Sequence, residues 1–100
     1  MRVSWRPAAR DDLLDLYLYI AERGAPEAAL RYAGEIEAFA DAIGHFPRSG
    51  RARDDIRPGL RMKPFRSVLV AYEIREDAVH VLRILHAARD YARLLEGNGE

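Results

Sequence analysis

The run Ala78-Val79-His80-Val81-Leu82-Arg83-Ile84-Leu85-His86-Ala87-Ala88-Arg89-Asp90 limits what this chain can fold into. Val79, Val81, Leu82, Ile84 and Leu85 leave it almost wholly apolar, which predicts a strand buried on both faces. Such a strand needs a covering layer on each side of its sheet. Yet the run carries Arg83 inside and delivers His86, Arg89 and Asp90 at its exit. Polar groups at the end of a rigid, buried strand are a common way to build a site.

The rest of the chain supplies the layers. Val3 and Trp5 alternate with Arg2, Ser4 and Arg6 as a short first strand. Pro7 opens a helix whose Ala9, Leu13, Leu16, Tyr17 and Ile20 form one stripe, with Asp11 and Asp12 near the positive end of its dipole. Gly24 stops it, and Pro26 opens a second helix after a link of about two residues. That helix carries Ala29, Tyr32, Ala33, Ile36, Phe39, Ala40 and Ile43 and ends at Gly44-His45-Phe46-Pro47. The two form an antiparallel hairpin whose apolar faces need a sheet. Pro47 to Gly59 reads as a polar loop. Leu60, Met62 and Phe65 mark a second strand, with Pro64 pointing to an edge or bend. In the third strand, Ser67 to Ile74, Val68, Val70, Tyr72 and Ile74 line one face and Leu69 and Ala71 the other. Arg75-Glu76-Asp77-Ala78 joins it to the last strand as a hairpin. Tyr91, Leu94 and Leu95 suggest a short final helix, and Gly97-Asn98-Gly99-Glu100 a frayed tail. The whole is one domain of α+β class. The last helix, a second copy or a partner covers the remaining sheet face.

Composition narrows the chemistry. There is no cysteine, which removes disulfides and thiolate metal sites. No stretch has the length of a membrane span or the character of a secretion signal, so a cytoplasmic protein is expected. The three histidines lack helical metal-ligand spacing, and no metal or cofactor is expected. Net charge is zero but unevenly spread. Arg48, Arg51, Arg53, Arg57, Arg61, Lys63 and Arg66 face only Asp54 and Asp55 in the same segment, and every basic residue but Lys63 is arginine. The cluster is either a solvated loop or a surface for an anionic partner, nucleic acid or acidic protein.

The pattern resembles the ParE branch of the ParE/RelE toxin superfamily over nearly the whole chain. The resemblance is carried by Trp5, Ala9, Asp12-Leu13 and Tyr19-Ile20; by Pro47 with Gly50-Arg51; and by Gly59-Leu60-Arg61. Val70-Ala71-Tyr72-Glu73-Ile74 and the Arg83-Ile84-Leu85-His86…Arg89-Asp90 ending complete it. The resemblance implies a helix hairpin on a small, mainly antiparallel sheet with a short C-terminal helix. It implies a type II toxin held by a cognate ParD-like antitoxin in a heterotetramer or larger complex. Operator DNA is then reached only through the antitoxin. DNA gyrase is the implied target, without a catalytic centre in the toxin. Two alternatives stand beside it: a RelE-type ribosome-dependent endoribonuclease, and an inactive antitoxin-binding module.

RNA cleavage by its own 2′-hydroxyl needs a base, an acid and positive charge on the phosphate. Arg61, Arg83 and His86 are the candidates, but no second proton carrier stands beside His86. Alternatively His86 is a strand-end residue bonded to backbone or to Asp90. His80 shares the face of Leu82, Ile84 and His86, or sits at a solvated turn, and His45 closes a helix. Strand parity sets Arg83 with Val79, Val81 and Leu85, so it needs a carboxylate, Glu73 or Asp90, or a groove filled by a partner. The residues expected to meet antitoxin or target are Arg51, Arg53, Arg57, Arg61, Lys63, Arg66, Arg83, His86 and Arg89.

Overall fold

Two prolines set the helices. Pro7 and Pro26 each occupy a first helical turn, where a missing N–H costs no internal bond. A computed structural model describes residues 1–86 and 95. Strand β1 (Arg2–Trp5) leads into α1 (Pro7–Ala21) and α2 (Pro26–Ala42). A 3₁₀ turn (Ile43–His45) follows, then β2 (Arg51–Ala52), β3 (Leu60–Phe65), β4 (Val68–Arg75) and β5 (Ala78–His86). Helix α1 stops earlier than expected, so residues 22–25 make the link, with Gly24 at φ 90°. The first turn of α1 holds no acidic residue, so the dipole role expected of Asp11 and Asp12 is not theirs.

The five strands lie in the order β1-β5-β4-β3-β2. β1 runs parallel to β5 and every other pair is antiparallel. Glu76 and Asp77, at φ 57° and 61°, make the two-residue turn between β4 and β5. Both positive values suit the right-handed twist of the flanking strands. β2 lies inside the segment expected to be loop: its two residues pair with Arg61 and Met62.

One irregularity reorders the last strand. Ala71 pairs with Arg83 but Tyr72 pairs with Val81, which leaves Leu82 as an extra residue on β5. A bulge of one residue exchanges the two faces for everything beyond it. Val79, Val81 and Ile84 therefore join the core under the helices, and Leu82 and Leu85 pack on the opposite face. The expected grouping of Val79, Val81, Arg83 and Leu85 is broken at this point.

The main core is Ala9, Leu16, Ile36, Ala40 and Ile43 of the helical layer against Val68, Val70, Tyr72, Val79, Val81 and Ile84 of the sheet. The second face packs Leu60, Met62, Ala71, Leu82 and Leu85 with Leu95. Leu95 thus supplies part of the second cover that a doubly apolar sheet requires. The final helix expected around Tyr91 and Leu94 otherwise lies outside the described residues.

Candidate functional site

Most of the arginine cluster is already occupied. Arg53 grips Asp55 through Nε and NH2, both at 2.9 Å. That bidentate bond holds the Asp55 carboxyl below its ordinary value of 3.8. Arg57 lies 3.6 Å from Glu73 and Arg66 2.9 Å from Glu35. Glu73 is only 7% exposed and also meets Arg75 at 2.9 Å, off the angle of a hydrogen bond. Arg61 donates to the carbonyls of Arg48 and Gly50, at 3.2 and 2.8 Å, and Lys63 to Ser49 Oγ at 2.9 Å. Arg48 and Arg51 are exposed and have no ion-pair partner among the described residues. Arg51 acts on Asp55 only through space. Arg89 lies outside the described residues.

Arg61 and Lys63 belong to a built loop. Tyr72 is fully buried, and its hydroxyl donates to the Pro47 carbonyl at 2.8 Å. The same oxygen accepts the Gly50 N–H at 2.7 Å. Gly50 must be glycine here, since a Cβ would stand 2.5 Å from that oxygen. Ser49 N–H bonds the Phe46 carbonyl at 3.0 Å. Residues 46–50 are therefore held from below by β3 and β4, while Phe46 is 71% exposed.

Arg83 has a partner, but neither of those expected. Its Nε and NH2 donate to Asp12 of α1 at 2.8 and 2.9 Å, and Asp12 also accepts the Ile84 N–H at 2.9 Å. Glu73 is taken by Arg57 and Arg75, and Asp90 lies outside the described residues. These bonds join α1 to β5 directly beside the bulge. The bond to Asp12 raises the Arg83 pKa further, against the effect of burial.

His86 is half-buried at the end of β5, its ring centroid 6.1 Å from Tyr19 and tilted by 56°. Arg23 covers the Tyr19 ring at 3.6 Å. His80 meets the Arg75 carbonyl at the β4–β5 turn, 3.1 Å away, which favours the turn reading. His45 ends the 3₁₀ turn, exposed. The three residues considered for RNA cleavage thus do not converge: Arg61 turns to the 46–50 loop and Arg83 to α1.

The outer side of the hairpin carries a different feature. Arg10, Leu13, Leu14, Tyr17, Leu30 and Ala33 line an open groove of about 280 Å³ between α1 and α2. Leu14 and Leu30 are 52% and 67% exposed, and Leu18 nearby is 41% exposed. A second hollow of about 260 Å³, at Ile20, Ala28, Arg31, Tyr32, Glu35 and Arg66, is more polar and is crossed by the Arg66–Glu35 pair.

The profile of the ParE toxin of type II toxin–antitoxin system, parDE, matches residues 3–91. This chain belongs to the ParE toxin family. It is 33% identical over 90 residues to Toxin ParE1 of Mycobacterium tuberculosis, covering 89% of this chain and 92% of the relative. It is 32% identical over 93 residues to Toxin ParE3 of Caulobacter vibrioides, covering 93% and 92%. Toxin RelE2 of the same organism matches at 33% over 89 residues, covering 88% and 97%. In structure it superposes on a chain of the chromosomal ParDE TA system from P. aeruginosa with a TM-score of 0.78. That match covers 88% of this chain and 97% of the other at 21% identity. The fold is the ParE fold, in its helix hairpin, mixed sheet and N-terminal strand.

Within this ParE-family toxin, three features escaped the sequence reading. Asp12 had a ready local explanation near a helix start. Phe46 had one as a helix terminator. The groove did leave a signal: from Leu13 to Ile20 only Asp15 is polar, so α1 is apolar on more sides than one sheet can cover. No described helix is long and apolar enough to cross a membrane.

Proposed function

We propose that this ParE-family toxin acts on DNA gyrase in the cytoplasm and is silenced by a ParD-like antitoxin laid along the α1/α2 groove. The observation that carries the antitoxin half is the groove itself. Leu14, Leu18 and Leu30 are large apolar side chains left in water on adjacent helices, beside a hollow sized for the side chains of an amphipathic segment. Arg10 on the rim suits an acidic residue of that segment, its own contact to Glu37 being a loose 3.8 Å. In keeping with a paired toxin, the structural neighbour comes from a ParDE system. A heterotetramer or larger follows if the antitoxin itself dimerises.

The gyrase half rests on how the described residues around the RNA-cleavage candidates are engaged. Arg83 is neutralised by Asp12 and Arg61 is spent on backbone carbonyls. Neither is left to stabilise a phosphorane, and among the described residues the ring contact of His86 is to Tyr19, itself covered by Arg23. A protein-binding poison needs no such constellation. Gyrase supercoiling with purified toxin is the test: inhibition with accumulation of cleaved DNA complexes is expected. Undisturbed supercoiling at micromolar toxin, with new 5′ ends in translated message lost on His86→Ala, would establish the RelE-type reading instead. Harmless expression without antitoxin would mark an inactive binding module.

A further inference from the structure

We infer that the loop from Phe46 to Arg51 is the element with which this toxin grips its target, through an apolar pocket rimmed by carboxylates on a protein partner. The inference rests on the gyrase reading above and locates the contact that reading needs.

The loop is anchored far beyond what a connector requires. Tyr72 holds Pro47 and Gly50, Arg61 holds Arg48 and Gly50, and Lys63 holds Ser49. Apart from the bond to the Ser49 hydroxyl, these anchors hold the backbone, and none of them engages the side chain of Phe46, Arg48 or Arg51. Phe46 stands 71% exposed at the head of the loop, with exposed Arg48 and Arg51 after it. Unlike their neighbours Arg53, Arg57 and Arg66, these two arginines have no ion-pair partner among the described residues. An aromatic anchor followed by two cations, on a backbone already ordered, binds at a low entropic cost.

Charge and shape choose the partner. Two unpaired guanidinium groups call for anions, and carboxylates accept their forked donors well. Phe46 is a single ring rather than a row, so it suits one pocket and not a stacked single strand. The antitoxin groove lies elsewhere: from Ala33 at its edge to Ile43 before the loop is about 15 Å of helical rise. The two surfaces are therefore separable by substitution.

The experiment compares full-length wild type, Phe46→Ala and Arg48→Glu/Arg51→Glu in four assays: gyrase supercoiling, antitoxin affinity, growth arrest on induction and affinity for a single-stranded oligonucleotide. All three positions are exposed, so the fold should survive, and retained antitoxin binding reports it. The expected result is a loss of inhibitory potency of about 30-fold or more for each variant, with antitoxin Kd within about threefold of wild type. Wild type inhibiting gyrase with both variants equally potent overturns the loop assignment and leaves the gyrase reading intact. Wild type failing to inhibit gyrase overturns that reading instead. Growth arrest then decides the loop: variants that no longer arrest growth support it, and variants that arrest like wild type reject it. Loss of affinity for a single-stranded oligonucleotide, with protein inhibition unchanged, also rejects it in favour of a nucleic-acid contact.

Discussion

Asp12 and Arg83, 71 residues apart in the chain, form a bidentate ion pair that ties the first helix to the bulge of the last strand. The same carboxylate takes the Ile84 N–H, so one side chain accepts three bonds. Both partners are largely buried, with side-chain exposures of 26% for Arg83 and 15% for Asp12. Asp12→Ala would leave a cation and a backbone donor without acceptor and should cost about 2–4 kcal/mol. Arg83→Met should cost about 1–2 kcal/mol less, because it strands no buried cation and keeps the Ile84 bond. Urea unfolding midpoints at constant m-value measure both. Equal losses would mean that Asp12 matters only as Arg83's partner.

The Tyr72–Gly50 contact predicts a second ordering. Tyr72→Phe deletes two bonds to the loop and should cost about 1–3 kcal/mol, with faster amide exchange at Gly50. Gly50→Ala should cost more, because a methyl at 2.5 Å from the Tyr72 hydroxyl must displace a fully buried ring or the loop. Thermal unfolding of the two variants checks the order, and a harmless Gly50→Ala would disprove the close approach.

These two contacts show what was legible beforehand and what was not. The β4–β5 hairpin was readable because Arg75-Glu76-Asp77-Ala78 interrupts two apolar runs. Both helix starts were readable from their prolines. The bulge was not, because register belongs to a pair of strands and β5 alone shows an unbroken apolar run. Once the bulge is unknown, parity misplaces Leu85 and Ile84, and the partner of Arg83 is sought on the wrong elements. Tyr72 was readable as core, but its hydroxyl acts on a loop more than twenty residues earlier. In the arginine cluster, local pairs such as Arg53–Asp55 follow from sequence proximity. Which cations stay unpaired depends on strand geometry that composition does not encode.

Asp55 gives a pH signature. Arg53 depresses its pKa, so the carboxylate's contribution is present above the unfolded value and fades as pH falls through the lower folded value, below 3.8. A carboxyl-detected NMR titration should place Asp55 below its ordinary value, and Arg53→Ala should move it back up. The side chain is 65% exposed, so global stability near neutral pH should barely change with either substitution.

The groove makes the most direct functional prediction. Leu14→Glu or Leu30→Glu places a charge on an exposed position, so folding stability should stay within about 0.5 kcal/mol. Antitoxin affinity should fall by about 30-fold or more, because that charge must be desolvated beneath the incoming segment. Salt separates this account from one centred on the arginine cluster. Arg53, Arg57 and Arg66 already have carboxylates, whereas Arg10 on the groove rim is held only loosely by Glu37 and can steer an acidic partner. Raising ionic strength should therefore slow association moderately, and dissociation should hardly respond, since the apolar seat sets it. Stopped-flow and surface-binding kinetics across a salt series measure both rates. A dissociation rate that climbs steeply with salt would show that charge, and not Leu14 and Leu30, holds the complex together.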